Sequence, residues 1–244
     1  MITSQRACRR GVFGGIGLLS GLAAVAVSVA ASLAACSSPS ASFYTLGSGD
    51  TPVTSSGTGA KLLIEVPPVD VPPQIARTAF VVQTGANQVG VLEQSRWASL
   101  PADEIRQALS QDLTRRLNAI DVSGTPHPDS VPVYRVKVSV QRFESWPGSH
   151  TLIDAVWSVR ALRTETVMTC RSVITETVAS GNDALVAGHR LALDQVAAKM
   201  AAGVAALNAL PASRTQTAAT TTGASSTRAR AAAASVANVP CPAD

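Results

Sequence analysis

Leu33-Ala34-Ala35-Cys36 closes a basic-then-apolar N-terminus, and it decides which part of this 244-residue chain is available to fold. Arg6, Arg9 and Arg10 give the positive start, and Gly11 to Ala35 carries no charge and is dominated by Gly, Ala, Val and Leu. Small residues directly before the cysteine make this a cleavable secretory signal rather than a structural element. The run is long enough to cross a bilayer. Its Gly, Ala and Ser content and its small-residue end favour cleavage over retention as a transmembrane helix. The folded body must therefore come from the residues after the signal.

The same four residues have the pattern of a bacterial lipobox, which implies a defined chemistry. The Cys36 thiol receives a diacylglyceryl group, the chain is cut between Ala35 and Cys36, and the new amine is acylated with a fatty acid such as palmitate. Each buried methylene adds about 0.8 kcal/mol to attachment, so three chains on one residue hold it permanently. Ser37 stands where lipoproteins retained in the inner membrane often carry Asp, so the expected location is the outer membrane of a Gram-negative cell, facing the periplasm.

Removing the signal also changes the charge. The basic residues fall from 20 to 17 against 16 acidic ones, so the mature chain is nearly neutral. No Lys/Arg stripe of the kind that tracks phosphates is left, and nucleic acid is not an expected partner. Cys8 leaves with the signal and Cys36 is used for lipid, leaving Cys170 and Cys241. In an oxidising compartment two thiols can bridge. The alternative is two unpaired thiols, one in a strand and one in a frayed tail.

The domain reading is a signal peptide at 1–35, a lipidated N-terminus with a short strand and a flexible loop at 36–60, a folded body at 61–210 and a disordered Ala/Thr/Ser-rich tail at 211–244. Within it, Phe43 to Leu46 is β-prone, and residues 47–60 are nearly all Gly, Ser, Thr, Pro and Ala, a linker composition. Lys61 to Val66 reads as a strand followed by Pro67-Pro68 and Pro72-Pro73, which predicts a sheet edge or an extended crossing. Thr78 to Thr84 and Gln88 to Glu93 read as a hairpin.

Pro101 suits a first helical position, and Asp103 and Glu104 favour the positive end of the helix dipole. Ile105, Leu109, Leu113 and Leu117 then form one apolar stripe. Residues 121–132 read as a loop. Strands are predicted over Val133 to Phe143, Thr151 to Leu162 and Val167 to Val178, joined by short turns into an antiparallel meander. Asn182-Asp183 should cap a last helix ending near Leu210. The expected fold is a single α+β domain, a mainly antiparallel sheet with two helices packed on one face.

Catalytic chemistry is hard to find. His127, His150 and His189 match no metal-ligand spacing, and neither a G-x-S-x-G elbow nor a Walker loop occurs. His189 reads as a helix-flank residue rather than a ligand, and Asp154, set among the apolar residues of its strand, as a wet-face residue opposite Ile153 and Ala155 rather than a buried functional one. Trp97 and Trp157 read as packing aromatics rather than as the lining of a lipid groove. No catalytic residue, no metal and no cofactor beyond the lipid on Cys36 is expected.

Several segments, taken in order, resemble the auxiliary lipoproteins of ABC-type lipid transport systems, in particular the PqiC-type lipoproteins of the paraquat-inducible operon. They are Phe43-Tyr44-Thr45-Leu46, Ile64-Glu65-Val66-Pro67-Pro68-Val69, Val71-Pro72, Arg77, Val81, Arg96-Trp97-Ala98-Ser99-Leu100, and the strands holding Phe143 and Trp157. The resemblance spans about residues 41 to 208. It implies a non-enzymatic outer-membrane accessory, a homo-oligomer that docks a periplasmic MCE-domain lipid conduit and supports membrane integrity. The Gly/Ser/Thr insertion after Leu46 and the long tail depart from the family pattern. Other readings are a periplasmic lipid carrier, an envelope assembly factor and, more weakly, an envelope hydrolase.

Overall fold

A computed structural model of the protein describes residues 40–47, 60–210 and 239–242. The signal, Cys36, most of the 47–60 stretch and the tail from 211 to 238 lie outside the described residues. The elements run β1 (Ser42–Tyr44), β2 (Leu63–Glu65), a 3-10 turn (Pro73–Ile75), β3 (Ala79–Gly85) and β4 (Gln88–Trp97). They continue with α1 (Pro101–Leu117), β5 (Ile120–Asp121), β6 (Val133–Trp146), β7 (His150–Ala161), β8 (Val167–Thr177) and α2 (Asn182–Ala209).

The fold is α+β with two mixed sheets, a five-stranded one in the order β5-β2-β6-β7-β8 and a three-stranded one in the order β1-β4-β3. The β6-β7-β8 meander is antiparallel throughout. Its period-2 alternation puts Val136, Val138, Ile153, Ala155, Trp157, Val159, Met168 and Ile174 in the core. A register shift between Val140 and Arg142 reverses the alternation, so Phe143 and Ser145 also turn inward. The strand runs on to Trp146, past the end that alternation alone predicts.

The first strands are arranged differently from expectation. β2 is not an edge: it lies between β5 and β6 and is parallel to both. Its last paired residue, Glu65, precedes the prolines, so no missing N–H interrupts the ladder. The chain then crosses and rejoins β6 at Asp70, where Val140 N–H donates to the Asp70 carbonyl at 2.8 Å. Ile120–Asp121 is a strand rather than the start of a loop.

Both helices pack on one side of the five-stranded sheet. In α1 the predicted stripe holds: Ile105, Leu109 and Leu113 are fully buried. The α2 helix lies across β7 and β8 at very close range. A Cβ added at Gly188 would stand 2.4 Å from Val178 Cγ1, and one at Gly203 would stand 3.2 Å from Trp157 Cζ3 and from Met168 Sδ. The helix is capped by Gly181 at φ +105° rather than by Asn182, whose side chain donates instead to Ser95 Oγ at 2.8 Å.

Candidate functional site

The folded body begins at β1, six residues after Cys36, and the segment Tyr44-Thr45-Leu46 fixes it there. Tyr44 enters a row of rings. It meets Phe80 edge-on at 5.2 Å, Phe80 stacks on Trp97 at 4.2 Å, Trp97 meets Phe143, and Phe143 stacks on His189 at 3.8 Å. This row ties the first strand to the long helix α2. Leu46 is buried beside it.

Glu104, in the first turns of α1, completes the clasp. Its side chain is 3% exposed. Oε2 accepts from Thr45 Oγ1 at 2.7 Å and from Leu46 N–H at 2.8 Å; Oε1 accepts from Ser99 Oγ at 2.7 Å and from Ser99 N–H at 3.1 Å. Burial alone would raise the Glu104 pKa, but the hydrogen bonds from Ser99, Thr45 and Leu46 outweigh it and hold the carboxyl below its ordinary value. The sequence places Glu104 only as a dipole-complementing residue. Its role is to bind the anchor-proximal segment to the first helix.

Next to the clasp, α1 and α2 leave a groove of about 380 Å³. Leu46, Ala108, Ala187 and Leu191 supply its apolar lining, and Asp112, Arg115, Arg190 and Asp194 its charge. Arg115 pairs with Asp112 at 2.6 Å and with Asp194 at 3.1 Å. The Asp112 carboxyl is raised, chiefly because burial disfavours its charged form.

Two residues that sequence reading places on the surface are buried. His189 is fully enclosed, with Nε2 at 2.8 Å from Ser145 Oγ and its ring against Phe143. It is not a helix-flank residue. Burial pushes its pKa down to about 3. Its position one turn from both Leu185 and Leu193 was the available signal, since that spacing puts it on the buried stripe. A serine and a histidine at this distance have the spacing of a nucleophile and its base. Both are sealed from solvent, however, and among the described residues no third group orients His189 through Nδ1.

Asp154 faces away from the core as expected, but it is not wet. Arg171 lies over it and donates from Nε at 2.8 Å and from Nη2 at 2.6 Å, leaving Asp154 2% exposed. The Arg171 hydrogen bond is the main cause of its lowered pKa. Trp97 and Trp157 are both core residues, and Trp157 Nε1 donates to Ser172 Oγ at 2.9 Å.

Cys170 and Cys241 are joined in a disulfide with a Cα–Cα distance of 5.8 Å. Val239 N–H donates to the Val167 carbonyl, so the end of the tail runs beside the start of β8. His127 lies 3.7 Å from Glu65, and His150 is the first residue of β7, stacked on Trp146, rather than a loop residue. Among the described residues no group of three or more His, Cys, Asp or Glu side chains could hold a metal. No helix of the described residues is long and apolar enough to cross a membrane.

The architecture defines a small α+β domain with its first strand clasped into the body. Residues 44–201 match the family model described as the ABC-type transport auxiliary lipoprotein component, and the chain belongs to that family. A crystal structure of an uncharacterized protein shares the fold, with a TM-score of 0.55 at 20% identity over 68% of this chain and 99% of the other. Protein XCC0632 from Xanthomonas campestris follows, at 16% identity and a TM-score of 0.47 over 59% of this chain and 83% of its own. A PelC dodecamer from Paraburkholderia phytofirmans is 6% identical, with a TM-score of 0.32 over 65% of this chain and 89% of its own. No curated protein sequence matches the chain. Family membership makes this an auxiliary lipoprotein associated with a transport system, and it suggests a non-catalytic role.

Proposed function

We propose that the mature protein is an outer-membrane lipoprotein, triacylated on Cys36, that acts as the non-enzymatic docking subunit of an MCE-type trans-envelope lipid transport system. In that role it works as a homo-oligomer and supports membrane integrity, with the covalent lipid as its only cofactor. The observation that carries this reading is the family match over residues 44–201, which covers every strand from β2 to β8, α1 and most of α2. The clasp adds a physical reason. Because Glu104 and the ring row lock β1 into the body, the tether from Cys36 is only residues 37–41, and the 47–60 stretch, which follows β1, adds no reach. Five or six residues span about 20 Å at most, so the body is held close to the bilayer at high local concentration for any partner there.

The test is recovery of the native protein from crosslinked envelopes. An MCE-domain protein should copurify with it, and Cys36→Ser should leave the outer-membrane fraction while remaining folded. Recovery of the protein as a monomer with stoichiometric phospholipid and no MCE-domain partner would replace this reading with the carrier function.

A further inference from the structure

We propose that the outer face of the three-stranded sheet rests on the bilayer in which the Cys36 lipid is embedded, so that the protein has a defined orientation on the membrane. The proposal rests on the lipidation reading and adds a contact surface to it. Strand pairing sorts the sheet into two faces. Tyr44, Phe80, Val82 and Trp97 turn toward the core, and alternation sends Phe43, Val89 and Val91 the other way, with Val81 across from Val91 but half-buried against the core cluster. Phe43 is 66% exposed, Val89 50% and Val91 38%.

Isolated exposed apolar residues are ordinary on a protein surface. Around Val81, Val89 and Val91 this face differs in its lack of charge. From Thr78 to Leu92 the chain carries no Asp, Glu, Lys, Arg or His, and the same is true from Cys36 to Gly49. The hairpin tip offers Ala86, Asn87 and Gln88, side chains able to hydrogen-bond headgroups or to sit among them without desolvating an ion. The nearest charges, Glu93 and Arg96, pair with each other 3.6 Å apart, and Arg96 stands directly across from Phe43, so the uncharged part of the face is the stretch from Val91 to the hairpin tip.

Chain direction leaves the lipid within reach of this face. β1 is parallel to β4 with Ser42 opposite Ser95, so the start of β1 points along β4 toward the β3–β4 turn. Cys36 lies six residues earlier, a reach of about 20 Å, similar to the roughly 23 Å of strand from Ser95 back to Gln88. A tether this short keeps the uncharged face within reach of the bilayer, and the tethering makes even a weak apolar contact persistent.

The experiment uses the full lipidated protein with Val89→Cys or Val91→Cys carrying an environment-sensitive fluorophore, reconstituted in phosphatidylethanolamine/phosphatidylglycerol vesicles. Val173→Cys, an equally exposed site on β8, is the control. Labels at 89 and 91 should shift to the blue and lose most of their emission to a lipid bearing a shallow spin label, and the label at 173 should do neither. If the protein floats with the vesicles but all three labels respond alike, the orientation is wrong although the anchor is present. If labels 89 and 91 are instead shielded in detergent as the protein concentration rises, with no quenching by lipid, the face belongs to a second copy and the proposal fails. A protein that does not float overturns the lipidation reading and this contact together.

Discussion

The buried His189 makes stability depend on pH in a way that can be calculated. Its imidazole touches Phe143 and Ser145 in a site closed to water, and its pKa falls from about 6.5 to about 3. A depressed folded-state pKa means that the unfolded chain binds the proton first. Stability from this residue is complete above pH 6.5 and is lost as pH falls through that value, continuing down to about pH 3. At pH 5 the unfolded chain is 1.5 units below its histidine pKa, and at about 1.4 kcal/mol per unit the loss relative to pH 7.5 is about 2 kcal/mol. For a body of this size that corresponds to a fall in Tm of about 4–8 °C.

Ser145→Ala combined with His189→Leu removes the proton acceptor and its partner together, so that no orphaned hydroxyl is left in the core. Urea unfolding of wild type and double variant at pH 7.5 and pH 5 gives the comparison, and titrating groups common to both cancel in the difference. The variant should lose about 2 kcal/mol less between the two pH values than the wild type does. Parallel pH dependences in the two proteins would show that His189 is protonated, or open to water, in the folded state.

Glu104→Gln turns an amide toward two of the four donors, and at about 1–3 kcal/mol for each buried group left unpaired it should cost about 3 kcal/mol in denaturant unfolding. Limited proteolysis should then cut earlier in the segment around Gly47. Gly188→Ala should cost about 1–3 kcal/mol by overpacking against Val178 and Thr151, more than Gly203→Ala, whose nearest neighbours stand farther off; thermal melts of the two variants give the ranking. Reducing the Cys170–Cys241 bond, which closes a separation of 71 residues, should lower stability by up to about 4 kcal/mol. Peptide mapping without reductant should recover residues 170 and 241 in one crosslinked species.

Local regularities were legible in the sequence. The β6-β7-β8 meander follows from period-2 alternation between short turns, and both helices follow from apolar residues one turn apart. These patterns depend only on neighbouring residues, so their faces can be read without knowing what covers them. His189 shows the limit: its spacing from Leu185 and Leu193 placed it on the buried face, but its polar side chain argued for the surface. Only the seat between Phe143 and Ser145 resolves the conflict. Asp154 is a similar case, since alternation gives its direction and the Arg171 side chain on the next strand gives its burial.

From the sequence alone come the expectation of a leader ending at Cys36, the near-neutral charge of the residues after it, the helices, the meander and the family resemblance. The tertiary structure alone decides that β2 is interior, that β1 joins β4, and that Glu104 closes the clasp. The three-residue strands β1 and β2 carry no periodic signal of their own, and each is held by partners more than 50 residues away. The donors from Thr45 and Leu46 likewise reach Glu104 across 59 and 58 residues. Contacts of that range exist only once the chain has closed on itself, which is why no pattern along it announces them.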